Sequence, residues 1–352
     1  MSIAEVSALP AKRTKLRLAV LLAVLCCAVR QGSAQDTPLI SGGAAFLTST
    51  RGGSTTYLPI VEPLLAMPVG SHLLVESRAY LLEDIYPNGS SGYNHQHFIG
   101  LTYLQGNVIA SPHLTVVAGD FLLPFNTYND RLSPPWIGNF QDGPSTLNLG
   151  LLSYGTGIGG MVRGTAASND HYSIEYNAWY SARSSNEQFS ASRSSGGRAS
   201  LYLPDAGLEA GFSYDRLLQD TEENFYGAHV WWEPKDTALR LRSEFSRGQH
   251  AQGYWIEADY RTQRFGGADS WRGRFEPVFR IQQTFRIDTT ASDSLPLVNT
   301  QRADFGIDYN LPHNTRILTS YSRQFSPNGN ENIWETGIVY RILFPAWKGK
   351  TD

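Results

Sequence analysis

The sequence predicts an all-β protein, a transmembrane antiparallel β-barrel of about 16 strands with a long third outer loop. Three observations lead to this prediction. Apolar and polar residues alternate with period 2 along most of the chain. Short turns with Pro or Gly alternate with longer polar connectors, as in bacterial barrels. The last alternating segment has one face that is almost wholly apolar, with aromatic residues at both ends.

The N-terminal residues 1–34 are predicted to be a cleaved signal peptide. The apolar stretch 18–29 is too short to span a bilayer, which takes about 20 residues. Small residues at 32–34 suit a cleavage site, and the four basic residues that precede the apolar stretch are Lys12, Arg13, Lys15 and Arg17. The alternative is an uncleaved membrane anchor. We therefore expect residues 35–352 to form the barrel.

The mature chain has a composition that excludes several classes of protein. Its two cysteines, Cys26 and Cys27, both lie within the predicted signal peptide, so no disulfide holds the mature fold. Cleavage removes five basic residues and one acidic residue, which makes the net charge more negative than the −3 of the full chain. An acidic chain argues against nucleic acid as a partner. No later stretch has the hydropathy of a transmembrane helix.

Sixteen segments of the mature chain carry the period-2 pattern. One example is 252–263, where Tyr254, Ile256 and Tyr260 alternate with charged residues. An even number of strands is what single-chain bacterial barrels require. The predicted strands are 39–48, 57–66, 71–83, 95–107, 113–121, 156–166, 170–182, 198–203, 207–218, 224–233, 237–247, 252–263, 274–287, 299–310, 314–325 and 331–344.

The connectors between these strands fall into two sets. One set consists of short turns with Pro, Gly, Asn or Asp at the bend, which are predicted to face the periplasm. These turns include 67–70, 111–112, 204–207, 233–236 and 311–314. The other set is predicted to face outward and includes 49–56, 84–94, 122–155, 183–197, 219–223, 248–251, 288–298 and 326–330. Connector 264–273 is longer than the other members of the short set.

The C-terminal strand 331–344 resembles the terminal-strand signal of Gram-negative outer-membrane barrels. Its apolar face carries Trp334, Ile338 and other residues of the same parity, with charge and glycine on the opposite face. The residues that match the signal are Gly337, Tyr340, Ile342 and Phe344. The resemblance implies recognition by the barrel-assembly machinery and insertion among outer-membrane lipids. Eight residues follow Phe344, whereas such barrels usually end at the aromatic residue.

The longest connector, 122–155, contains Phe125, Trp136, Ile137 and Phe140, which is too apolar for a loop in water. In this layout the chain resembles outer-membrane porins, whose third loop folds into the lumen. Segment 119–125 is also similar to the Gly-x-Phe-x-x-Pro-Phe segment of phosphate-selective porins O and P. The resemblance implies that the loop narrows the pore. The candidate constriction residues are Asn126, Tyr128, Asp130, Arg131 and Asp142.

Charged residues of one parity on the predicted strands are candidates for lining a pore. They include Arg240, Arg242, Glu244, Glu257, Asp259, Arg261, Arg280, Arg286, Asp304, Asp308 and Arg341. Both signs are well represented, so the anion or cation preference stays open. Lysine is scarce in the mature chain, which does not support phosphate specificity. The alternative is that these charges form cross-strand pairs that only support the wall.

These patterns favour a passive outer-membrane porin for small polar or ionic solutes, with no enzymatic reaction, cofactor or metal site. Two alternatives stay open. One is a substrate-specific outer-membrane transporter or outer-membrane enzyme. The other is a secreted soluble β-sandwich, since a sandwich also alternates apolar and polar residues. Porins of this size often form homotrimers, which is an expectation from the resemblance alone.

Overall fold

The computed structural model describes residues 38–345 except 90–91, 147–154, 186–189, 220–221, 268–269 and 290–294. The predicted signal peptide 1–34 lies outside the described residues. So do residues 147–154, which form the last part of the predicted connector 122–155.

Sixteen long strands form one closed antiparallel barrel, so the prediction of an all-β barrel of about 16 strands is confirmed. The strands are β1 (Leu39–Arg51), β2 (Ser54–Val69), β3 (Leu73–Pro87), β4 (Tyr93–Ser111), β5 (Leu114–Leu122), β6 (Thr156–Ser168), β7 (Ser173–Ala182), β10 (Ser194–Leu203), β11 (Leu208–Leu217), β12 (Asn224–Trp232), β13 (Leu239–Arg247), β14 (Ala251–Tyr260), β15 (Phe275–Arg286), β16 (Thr300–Leu311), β17 (Thr315–Phe325) and β18 (Glu331–Pro345). The two short strands β8 (Ser184–Ser185) and β9 (Ser190–Ala191) form a separate hairpin. Two short helices lie in connectors, α1 (Tyr128–Arg131) and α2 (Gln263–Gly266), and a 3-10 turn spans Arg272–Arg274.

The C-terminal strand closes the barrel by pairing with the first strand. The register runs from Leu39 opposite Pro345 to Arg51 opposite Ile333. Closure matters because an open sheet edge would leave backbone N–H and C=O groups without partners in lipid. Among the described residues, no helix is long and apolar enough to cross a membrane.

Burial alternates along the strands in the predicted phase. On β14, Trp255, Glu257 and Asp259 are buried, whereas Ile256 and Tyr260 are exposed. The same contrast appears on β16, where Asp304 is buried and Phe305 is 56% exposed. In a closed barrel the buried face is the inner one, so charge lies inside and large apolar side chains lie outside.

Aromatic side chains pair on the outer face near both ends of the barrel. At the end with the longer connectors, ring centroids lie 4.7 Å apart for Tyr321 and Trp334 and 5.5 Å apart for Tyr214 and Tyr226. At the short-turn end, Phe275 and Tyr309 lie 4.8 Å apart. Two such belts are typical of proteins whose outer surface meets the two interfaces of a bilayer.

The prediction of an outer loop at residues 49–56 is wrong. Strands β1 and β2 run on through these residues and meet at the two-residue turn Gly52–Gly53, with φ of +54° and +80°. Positive φ at both positions is the geometry of a type I′ hairpin turn. The Ser and Thr residues that suggested a loop are strand residues, and the hydroxyls of Thr50 and Thr55 lie 2.9 Å apart across the hairpin.

Other boundaries also differ from the prediction; β3 and β4, for example, each extend four residues beyond their predicted ends at 83 and 107. Strand β10 begins at Ser194, four residues before the predicted start at 198, because its Ser-Gly-rich first half pairs with β7 and β11. Connector 264–273 contains α2 and part of the 3-10 turn, which accounts for its length.

Candidate functional site: the longest connector and the inner face of the wall

The longest connector begins in an apolar cluster on the inner face. Phe121, Leu123 and Phe125 are buried there beside Met161 and Trp179. Just before this cluster, Gly119 of β5 has a φ of +127°, and a Cβ there would collide with the carbonyl oxygen of Leu104, so this strand position requires glycine. Phe125 is therefore packed, as was predicted for the apolar residues of this connector.

Asn126 fixes the chain where it leaves the apolar cluster. Its φ of +55° is left-handed, a conformation that Asn tolerates better than most residues. The backbone N–H of Asn126 donates to Ser213 Oγ at 3.0 Å, and its side-chain amide donates to Ser246 Oγ at 2.9 Å. The side chain fits because the facing wall residue is Gly227, where any Cβ would collide with it.

Helix α1 is held at its N-terminus by one wall carboxylate. Glu244 Oε1 accepts hydrogen bonds from the backbone N–H of Thr127, the hydroxyl of Thr127 and the backbone N–H of Tyr128, each at 2.7 Å. Free N–H groups at the start of a helical turn attract negative charge. Trp255 donates to the other oxygen of Glu244 at 3.2 Å, so this buried carboxylate is well supplied with donors.

The charged residues of α1 bind two neighbouring strands. Asp130 pairs with Arg198 at 2.9 Å, and Arg131 pairs with Glu209 at 2.7 Å. Burial disfavours the Arg131 cation, but the hydrogen bond and charge of Glu209 outweigh this and raise the pKa of Arg131. Burial also raises the pKa of Tyr128, so this phenol stays neutral.

Farther along, Asn139 and Asp142 contact the charged strands β14 to β16. The side-chain amide of Asn139 donates to Glu257 at 3.1 Å and to Asp259 at 3.2 Å. Asp142 lies between Arg280 at 2.9 Å and Arg302 at 2.5 Å, with Arg51 at 3.8 Å. Asp142 therefore contacts three guanidinium groups, and Asp304 and Glu335 share in compensating their charge.

On the opposite side the connector makes apolar contacts. Trp136 packs against a cluster that includes Ala45, Leu47 and Val339. Gly43 makes room for it, because a Cβ there would lie 2.5 Å from the indole ring. Ser133 accepts a hydrogen bond from Arg78 of β3 at 3.3 Å. Contacts of segment 123–146 thus reach strands on both sides of the barrel.

All five candidate constriction residues contact the wall. Asn126 and Tyr128 are buried, while the side chains of Asp130, Arg131 and Asp142 remain 26–29% exposed. Among the five candidates, the charged side chains are therefore the more exposed ones.

The predicted pore-lining residues mostly form cross-strand ion pairs. Arg240 pairs with Asp259 at 2.8 Å, Arg242 with Glu257, and Arg280 with Asp304 at 2.8 Å. Asp308 pairs with Arg316 at 3.5 Å, and Arg261 pairs with Glu233 at 2.6 Å. Arg286 is buried and its guanidinium donates to the backbone oxygen of Asp288. Arg341 is exposed near the short-turn end.

Several residues of the same network were not among the candidates chosen from sequence. Arg198, Glu209, Arg302 and Arg316 all bind either the connector or a candidate residue. Arg302 lies two residues before Asp304 on the same strand and therefore faces inward as well. Applying the alternation to every residue of this strand would have identified it. Asn139 carried no comparable signal, because its partners depend on how the connector folds.

Comparisons with known proteins support the barrel architecture. No protein-family model and no curated protein matches the chain. Among solved structures, it is similar to an anion-selective porin from Comamonas acidovorans (10% identity, TM-score 0.57), covering 88% of this chain and 100% of that one. OmpF of Salmonella typhi gives 11% identity and a TM-score of 0.57, with coverages of 87% and 97%. OpdQ of Pseudomonas aeruginosa gives 12% identity and a TM-score of 0.51, covering 89% of this chain and 100% of that one. The chain therefore has the fold of these outer-membrane porins.

Proposed function

We propose that the protein is an outer-membrane porin that lets small polar or ionic solutes diffuse passively through its barrel. The observation that carries the proposal is the sorting of side chains on one closed wall. Charged residues such as Arg280 and Asp304 lie on its inner face, and exposed residues such as Phe305 and Ile256 lie on its outer face. This arrangement lets one protein meet lipid outside and water inside.

We infer that segment 123–146 lies inside the barrel and sets the width of the channel. Its residues contact inner-face groups on β1, β3 and β10 to β17, and strands so far apart are reached together only from the interior. The exposed charges of Asp130, Arg131 and Asp142 would then line the narrow part. The remaining exposed inner-face charges would form the walls on either side.

Conductance of single channels in planar bilayers tests this function. The refolded barrel should give discrete, ohmic current steps in potassium chloride, because water and ions fill the lumen. A correctly folded barrel, verified by its circular dichroism and heat-modifiable migration, that never opens would contradict the proposal.

The location and assembly of the protein follow from the same proposal. We expect export, cleavage after Ala34, and insertion into the outer membrane with the residues of β18 read by the barrel-assembly machinery. Amino-terminal sequencing of outer-membrane extracts should begin at Gln35. Substituting Tyr340 and Ile342 with Ser should reduce the inserted fraction, and chemical cross-linking in the membrane should show whether the barrel is a homotrimer.

A further inference from the structure

Connector 264–273, at the short-turn end of the barrel, is held firmly against its surroundings. In α2 the guanidinium of Arg264 donates to the backbone oxygen of Lys235 in the neighbouring turn at 3.0 Å. At the other end of the connector, the hydroxyl of Thr262 donates to the backbone oxygen of Arg272 at 2.8 Å. The residues that follow α2 therefore have a fixed position relative to the wall.

Trp271 extends the outer aromatic belt onto this connector. Its ring meets that of Phe275 edge to face, with centroids 6.2 Å apart, and Phe275 lies 4.8 Å from Tyr309 on the outer face of β16. Trp271 is 64% exposed. The three rings form a continuous row that begins on the apolar outer wall and ends on the connector. An indole at the end of such a row is at the level of lipid headgroups.

Arg272 places a cation beside this row of rings. Its guanidinium carbon lies 5.4 Å from the ring centroid of Trp271, and the exposed side chain forms no ion pair with any described residue. The belt at the opposite end of the barrel differs. There Arg323 lies 5.7 Å from the ring centroid of Phe325, but its guanidinium already donates to Asn332. Arg272 therefore keeps its donors for a ligand outside the protein.

The combination of rings and cation matches the chemistry of a phospholipid. Segment 261–274 contains four arginines and one acidic residue, so its charge favours an anion. A guanidinium binds phosphate oxygens in bidentate geometry, and basic residues near an anionic membrane surface are attracted to it. Because the rings belong to the outer face, this ligand is a lipid beside the barrel and not a solute inside it.

We propose that Trp271, Arg272 and Phe275 form a binding site for the headgroup of an anionic phospholipid at the short-turn end. The guanidinium of Arg272 donates to the phosphate oxygens. The row of rings packs against the glycerol and the first carbons of the acyl chains. This rests on the proposed membrane location, since the outer face must meet lipid, and not on conductance.

Native mass spectrometry of the detergent-folded mature barrel tests the site with short-chain phosphatidylglycerol. Phosphatidylcholine of the same chain length is the matched ligand, because both lipids carry a phosphate and only the first has a net negative charge. Phosphatidylglycerol should bind about fivefold more tightly, which is the order expected for one basic residue at an anionic lipid surface.

Arg272→Gln should abolish this preference. Arg272→Lys should keep part of it, because the charge remains and the bidentate geometry is lost. The control is Lys235→Gln, which removes one exposed positive charge from a neighbouring turn. It should leave the preference unchanged. Heat-modifiable migration of each variant shows that the barrel has folded.

Equal binding of the two lipids to the parent barrel, or equal losses in Arg272→Gln and Lys235→Gln, would overturn the inference. Displacement of phosphatidylglycerol by an equal concentration of glycerol 3-phosphate would also overturn it, since a site for soluble phosphate needs no row of rings. Single-channel current should be the same in Arg272→Gln as in the parent. A barrel that conducts but has no lipid preference therefore refutes the site alone, and one that binds phosphatidylglycerol but never opens refutes the channel alone.

Discussion

The inner face of the barrel differs between its two sides. On β1, β2, β17 and β18 it carries buried apolar residues such as Leu47, Ile60 and Leu318. On β13 to β16 it carries buried charges such as Arg242, Glu257 and Asp304. The same connector meets both sides, with Trp136 on the apolar side and Asn139 and Asp142 on the charged side.

This difference shows two physical ways of holding one loop. The apolar contact is non-directional and fixes position only loosely, since dispersion and burial depend on area. The charged contacts are directional, and removing one partner leaves another charge buried without compensation. We therefore expect the charged contacts to determine where the connector lies and the apolar contacts to add non-directional stabilisation.

Glu244→Ala should have the largest effect, because three donors of Thr127 and Tyr128 lose their acceptor together. We expect about 3 kcal/mol of lost stability, since hydrogen bonds to charged groups are among the strongest in proteins. Urea unfolding in lipid vesicles, followed by tryptophan fluorescence, measures it. Single-channel current should become larger and noisier. Glu222→Ala, at an exposed residue of another connector, is the control. Unchanged current in Glu244→Ala would show that this anchor does not position the connector.

Asp142→Asn should come next, at about 2 kcal/mol, because it leaves a buried cluster of guanidinium groups under-compensated. The cost is moderated because Asp304 still pairs with both Arg280 and Arg302. The reversal potential in a salt gradient should also shift towards anions, since one negative charge is lost near the narrow segment. Asp236→Asn, an exposed turn residue, should change neither quantity. A shift of equal size in both variants would contradict the assignment.

Trp136→Ala tests the apolar side and should cost about 1.5 kcal/mol, because a half-buried indole gives up contact with the cluster around Leu47. We expect a smaller rise in current noise than for Glu244→Ala. The neighbouring substitution Ile137→Ala, at a residue of the same connector that is 38% exposed, should change both stability and noise much less. If Trp136→Ala released the connector as fully as Glu244→Ala, the proposed division between the two sides would be wrong.

Arg216→Gln should have the smallest effect. Its partner Glu222 lies 2.6 Å away, but the two side chains are 43% and 67% exposed and belong to neither side of the loop contact. Exposed ion pairs contribute about 0.5 kcal/mol or less. Unfolding midpoints and conductance should match those of the parent protein within error. A loss of stability as large as that of Trp136→Ala would show that the Arg216–Glu222 pair has a role that its exposed geometry does not suggest.

Much of the fold follows from local pattern. The alternation on β14 and β16 placed Glu257, Asp259 and Asp304 on the inner face because side-chain direction in a strand has period 2. The period-2 pattern failed to predict strand structure where strand residues have the same composition as a loop. The Ser, Thr and Gly residues at 49–56 suit either state, and only pairing with β18 and β2 makes them strand.

The sequence by itself determined about sixteen alternating strands and which parity of their residues faces inward, because side-chain direction in a strand has period 2. The structure showed that these strands close into a barrel and do not form a sandwich, which the same period allows. Only the tertiary structure decided the partners of the connector. Asn126 meets Ser246, and Asp142 meets Arg280, across more than a hundred residues of chain. Such pairs have no local period, since they arise from barrel closure and from the space left at Gly43 and Gly227.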